Sequence, residues 1–123
     1  MAKINARNRL TRTPFQIEQG KKYRFVSQGT WFDSKQECAA TGYRSAKLRY
    51  FEWVRRMPAA NWFSLIGRID NKKGTQFDIG SLIEKDEVFS AITTGTLYCF
   101  ANDVWFMYWN NKGFVDLEMQ SVE

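Results

Sequence analysis

Histidine is missing from this sequence altogether. Its absence excludes Ser-His and Cys-His nucleophile pairs, an HExxH zinc site and any imidazole base. Cysteine is almost as scarce. Cys38 and Cys99 are the only two, and neither has a neighbour at metal-ligand spacing. Both are expected to be free, buried thiols. There is no Walker or dinucleotide glycine loop. No paired acids stand at a suggestive spacing, so no catalytic residue is assigned and an enzyme is not expected. Apolar runs are far too short to span a bilayer, so no membrane insertion is expected. The opening MAKINARNRLTRTPF is basic but lacks the apolar core of a secretory signal. The expected location is therefore cytoplasmic, with release by a non-classical route left open.

What remains is a chain rich in rings. Of its 123 residues 16% are aromatic, and only two are proline. That composition argues for one folded domain over residues 1–123 with a proper core. Residues 1–12 are a candidate mobile basic arm. Charge is uneven: 16 of the 18 Lys and Arg precede Gly74, whereas eight of the 13 acids follow it. A basic half invites a nucleic-acid reading. The basic residues are scattered, however, apart from Arg7/Arg9/Arg12 and Lys47/Arg49/Arg55/Arg56, which also fits an ordinary solvated surface.

The chain reads mostly as strands. KYRFVSQ (Lys22–Gln28) is rich in aromatic and β-branched residues. The stretch from Ser34 to Ser45 is polar and reads as a long loop. KLRYFEWVRRM (47–57) is ambiguous, and a short helix within 47–57 is one of its two readings. WFSLIGRI (62–69) reads as a central strand, followed by the turn Asp70–Gly74. QFDIG (76–80) and TLYCFAN (96–102) read as further strands. FVDLEM (114–119) alternates, with Val115, Leu117 and Met119 inward. Short strands separated by polar turns predict an all-β, antiparallel β-sandwich.

One segment stands apart: NDVWFMYWNNKG, residues 102–113. Six apolar or aromatic residues lie between an Asp and an Asn pair. NNKG before a strand is a good hairpin turn, because Asn and Gly tolerate positive φ. The rings have two readings, stacking on the apolar faces of sugars or filling a core or subunit contact.

Three stretches carry a family resemblance: GTWFD (29–33), SLIGRIDNKKGTQFDIG (64–80) and GTLYCFANDVWFMYWNNKGFVDLEM (95–119). In order and spacing they resemble the galactophilic PA-I lectin family, which has a galactose-binding-domain-like sandwich fold. The resemblance implies one calcium ion that binds two hydroxyls of a sugar. Carried over by position, Asp103 matches the carboxylate ligand, and Asn110 and Asn111 match two consecutive amide ligands. Met107 and Asp33 match positions that offer backbone carbonyls. Asp103 and Asn110 would also touch the sugar. This all-oxygen set suits a hard cation that takes six to eight oxygen ligands. The family's His-Pro segment has no counterpart beyond Pro58, which leaves galactose specificity unassigned. Trp105 and Tyr108 are expected to shape the pocket.

The expectation is a calcium-dependent carbohydrate-binding, lectin-like protein, and the resemblance also implies a homo-oligomer. The alternative is a sandwich that has lost sugar binding. It would contact protein or nucleic acid through the aromatic loop and basic residues.

Overall fold

A computed structural model describes residues 1–44 and 55–122 of the chain. The strands are β1 (Ala2–Asn5), β2 (Thr11–Ile17), β3 (Lys22–Gln28), β4 (Trp31–Asp33), β5 (Gln36–Cys38), β6 (Leu65–Ile69), β7 (Lys72–Asp78), β8 (Phe89–Ser90), β9 (Gly95–Ala101) and β10 (Asn111–Val122). Among the described residues one α-helix, α1 (Ile79–Lys85), lies between β7 and β8. The strands form two antiparallel sheets. The first runs β5-β4-β10-β3-β8, with β1 also paired to β10, and the second runs β2-β9-β6-β7. The fold is the expected all-β sandwich.

Strand β10 organises the first sheet. Its opening residues pair with β4, so that Asn111 faces Asp33 and Gly113 faces Trp31. Its later residues pair with β3, from Asp116 opposite Gln28 to Val122 opposite Lys22. Thus β3 and β4 run along one side of the same long strand, interrupted near Gly29, whose φ of 89° favours glycine. Val115 and Leu117 are buried and Met119 half-buried, as the alternation predicts.

The inner faces of both sheets meet in one core. Ile4, Ile17, Phe25, Trp31, Phe63, Leu65, Leu97, Cys99, Val115 and Leu117 belong to it. Trp31 and Phe63 meet edge to face, with centroids 5.7 Å apart. A second, smaller cluster lies on the opposite face of the second sheet. There Ala60 covers Ile66 and Phe100, with Leu10 and Met57 against them. The segment 55–62 is thereby clamped onto the outside of β6 and β9, beside the start of the aromatic loop.

Three expectations change. Residues 1–12 are not a loose arm: Ala2–Asn5 pair with Phe114–Leu117, and Ala2, Ile4 and Ala6 are buried. The polar stretch after Ser34 contains β5, which forms a hairpin with β4. The strand expected over 76–80 ends at Asp78, whose carboxylate accepts the Ser81 N–H at 3.0 Å and caps α1. The helical reading of 47–57 falls largely outside the described residues, while Arg55 forms an isolated antiparallel bridge to Val104. Cys38 and Cys99 are both free, Cys99 buried and Cys38 half-buried. No helix among the described residues is long and apolar enough to cross a membrane.

Candidate functional site

The site is built where β9 leaves the second sheet and β10 enters the first. The connecting loop must cross from one layer to the other, and two buried side chains anchor its start. Asn102 is fully buried. Its Oδ1 accepts the Met57 N–H at 2.8 Å, and its Nδ2 donates to the Met57 and Asn61 carbonyls, each at 2.9 Å. One amide thus ties the segment 57–61 to the loop. Asp103, only 3% exposed, follows it. Its Oδ1 accepts the Val104 N–H at 2.7 Å, and its carbonyl accepts the Arg56 N–H at 3.1 Å.

At its far end the loop closes through a 3₁₀ turn, Tyr108–Asn110, with Met107 at its N-cap. Asn111 then enters β10 fully buried, and its Nδ2 donates to the Ala6 carbonyl at 3.0 Å. The turn reading of NNKG is therefore displaced: Asn110 ends the 3₁₀ turn, Asn111 starts β10, and Gly113 alone has positive φ, at 79°.

Of the five residues expected as metal ligands, Asp33, Asp103 and Asn111 interact with one another, while Met107 and Asn110 bound the 3₁₀ turn of the same loop. Asp33 faces Asn111 across the β4–β10 ladder. The Asp33 carboxylate accepts the Tyr43 hydroxyl at 2.6 Å. Burial pushes the Asp103 carboxyl up to about 6, and the negative charge of Asp33 adds to the rise; the Val104 N–H and the Asn111 amide pull it back. Burial likewise raises Asp33, partly offset by the Tyr43 bond. Burial, then the bond to Asp33, raises the Tyr43 phenol. These groups act on one another as a compact, electronegative cluster.

Three oxygens within it have no hydrogen-bond partner although they are buried: Asp103 Oδ2, Asn110 Oδ1 and Asn111 Oδ1. A buried carboxylate or amide oxygen left without a donor costs about 1–3 kcal/mol, more when charged. Three such oxygens on the three residues matched to calcium side-chain ligands fit a hard cation by donor chemistry. No three His, Cys, Asp or Glu side chains among the described residues group as a metal site, so this donor set is a mixed carboxylate–amide one.

Beside the cluster opens a cleft of about 400 Å³, lined by Tyr43, Arg44, Arg55, Pro58, Asn61 and Trp62 among others. Pro58, the residue matched by position to the family's sugar-contacting segment, is one of its lining residues. Tyr43, Arg55 and Trp62 did not figure in that expectation. The Arg55 guanidinium lies 5.1 Å from the Trp62 ring centroid and donates to the Pro58 carbonyl. The isolated bridge between Tyr43 and Trp62 closes one wall. Gly42 permits it, since a Cβ there would meet the Trp62 carbonyl oxygen at 2.4 Å and φ is 76°. A ring inside a polar loop was the one signal in the sequence that marked Tyr43.

The aromatic loop divides. Tyr108 is 1% exposed, and its hydroxyl donates to the Ala101 carbonyl while accepting from Arg56 Nη1 at 2.9 Å. It is a core residue and cannot face a ligand, contrary to its expected place in the pocket. Trp105, Phe106 and Trp109 are 54%, 69% and 69% exposed. Trp105 lines a different cleft, with Arg56, Arg68 and Lys73.

No protein-family model and no curated protein matches this sequence. The fold is similar to a solved structure, the N-terminal domain of EclA, described as a PllA-like lectin, with a TM-score of 0.70 over 98% of this chain and 94% of that one, at 19% identity.

Proposed function

We propose that this chain is a calcium-dependent carbohydrate-binding protein, with the site at the β9–β10 loop. The observation that carries the reading is the trio of buried, partnerless oxygens on Asp103, Asn110 and Asn111. The lectin description of the fold neighbour supports the carbohydrate part.

In this reading Asp103, Asn110 and Asn111 hold the ion by their side chains, with Asp33 and Met107 offering backbone carbonyls. Bound calcium supplies a hard centre that takes sugar hydroxyls as further ligands. The chain's own residues do the rest. Asp33, whose carboxylate accepts the Tyr43 hydroxyl, adds negative charge beside Asp103. Pro58 and Ala59 present exposed apolar surface in the adjoining cleft, over the buried Trp62, and Asn61 and Arg55 present polar groups there. The exposed rings of Phe106 and Trp109 border the loop and offer an additional contact for a longer glycan or a second copy of the chain. Recognition by such a site needs no proton transfer and no nucleophile, in keeping with a binding protein.

The test is a glycan array read with calcium and again with chelator. Binding that requires calcium, and that disappears in Asp103→Ala, supports the reading. Binding that persists in chelator and falls steeply with salt favours the nucleic-acid or protein alternative.

A further inference from the structure

On the other side of the segment 55–58 lies a second concentration of chemistry. Arg55 and Arg56 are consecutive, and the bridge between Arg55 and Val104 holds the backbone extended there. Consecutive side chains on extended backbone point to opposite sides. Arg55 lines the Pro58 cleft, whereas Arg56 lines a separate cleft of about 290 Å³ with Arg68, Lys73 and Trp105. The two clefts share no lining residue.

This second cleft is crowded with positive charge. The Phe100 ring carries Arg56 at 3.5 Å and Arg68 at 4.9 Å from its centroid. Trp105 carries Arg56 at 4.5 Å and Arg9 at 5.4 Å. Among the described residues the ion pairs are Lys21–Glu18 and Arg24–Asp86, and none engages Arg9, Arg56, Arg68 or Lys73. Their hydrogen-bond partners are neutral. Arg56 Nη1 donates to the Arg9 carbonyl and the Tyr108 hydroxyl, and Arg68 donates to Gln76 and Asn71. Arg56 Nη2 is buried without any partner. Burial lowers both guanidinium groups, and the charge of Arg56 lowers Arg68 further, so the cations strain against each other.

We propose that this cleft binds a phosphate or sulfate group, free or as an ester. Three cations from three elements converge on it: Arg56 beside the site loop, Arg68 from β6 and Lys73 from β7. A tetrahedral oxyanion presents acceptors in several directions at once. It answers the Arg forks and the partnerless donor of Arg56, and it cancels the mutual repulsion. The exposed face of Trp105 stands at the rim, where a ring carrying the ester group stacks.

Calorimetric titration tests this with inorganic phosphate and inorganic sulfate, in chelator and at ionic strength held constant with sodium chloride. A sugar sulfate monoester and a short single-stranded oligonucleotide form two further arms. Wild type should show saturable single-site binding of both free anions, weakened roughly tenfold or more by Arg68→Gln, in keeping with the loss of a charge-assisted bond. Lys73→Gln, at an exposed position of β7, should weaken it by a smaller factor. Tighter binding of the sugar sulfate than of sulfate, lost in Trp105→Ala, supports the stacking role. An unchanged calcium titration in Lys73→Gln shows that the two sites are separate. Lack of saturable binding by either free anion overturns the proposal. So does equal affinity in both charge variants, or binding of the oligonucleotide alone.

Discussion

The Tyr43 hydroxyl donates to the Asp33 carboxylate at 2.6 Å, joining a loop residue to the strand that faces Asn111. Without that donor Asp33 keeps its burial but loses the bond that stabilises its charge. Tyr43→Phe is therefore expected to cost about 1–2 kcal/mol in urea denaturation under chelator. It should also weaken calcium binding a few-fold, because Asp33 then takes up a proton more readily. A calcium titration of the variant checks the second part.

The pH dependence of stability follows from Asp103. Its carboxyl is raised from 3.8 to about 6 in the folded protein. Below the unfolded value both states hold the proton and stability does not respond. Between 3.8 and about 6 the folded protein keeps the proton longer than the unfolded chain, so stability falls as pH rises. The loss is of order 2–3 kcal/mol and is complete above the folded value. Thermal melts in chelator from pH 4 to pH 7 should show the decline. Asp103→Asn should flatten it, and saturating calcium should reverse it.

Asn102 is expected to be the most sensitive residue of the loop. It is buried and satisfies backbone groups of Met57 and Asn61 at once. Asn102→Ala leaves several of them unpaired and should cost about 3 kcal/mol or more. Because the segment 57–61 forms a wall of the ligand cleft, glycan binding should fall in the fraction that remains folded. Denaturation and binding, measured on the same preparation, separate the two effects.

The exposed and buried rings of the loop should behave oppositely. Phe106→Ser and Trp109→Ser remove exposed surface, and each should change stability by less than about 0.5 kcal/mol. Tyr108→Phe deletes the hydroxyl that donates to Ala101 and accepts from Arg56, and should cost about 1–2 kcal/mol. If the exposed rings join copies of the chain, the Phe106 and Trp109 variants will also shift the sedimentation coefficient.

Much of this architecture could be read from the sequence because it depends on local pattern. The alternation of Val115, Leu117 and Met119 located β10, and the apolar run around Leu65 located β6. What escaped depends on short elements or on distant pairing. Four residues of β1 carry too little alternation to distinguish a paired strand from a basic arm. The seven-residue α1 is shorter than the window of about 11 residues over which a helical period can be read. At the site, the spacing of Asp103, Asn110 and Asn111 lay in one loop and was legible through a family resemblance. Tyr43 and Trp62 were not, because only the folded chain brings residue 43 against both residue 62 and Asp33. Tyr108 was misplaced for a related reason. A 3₁₀ turn, invisible in the pattern, rotates it inward and leaves Trp105, Phe106 and Trp109 outside.

The measurement that bears most directly on the central claim is a calorimetric calcium titration of wild type and Asp103→Ala. The account predicts one saturable site in wild type at millimolar calcium or below and none in the variant, with both proteins folded by circular dichroism. Absence of calcium binding by wild type at millimolar concentration, or equal binding by both proteins, would contradict it.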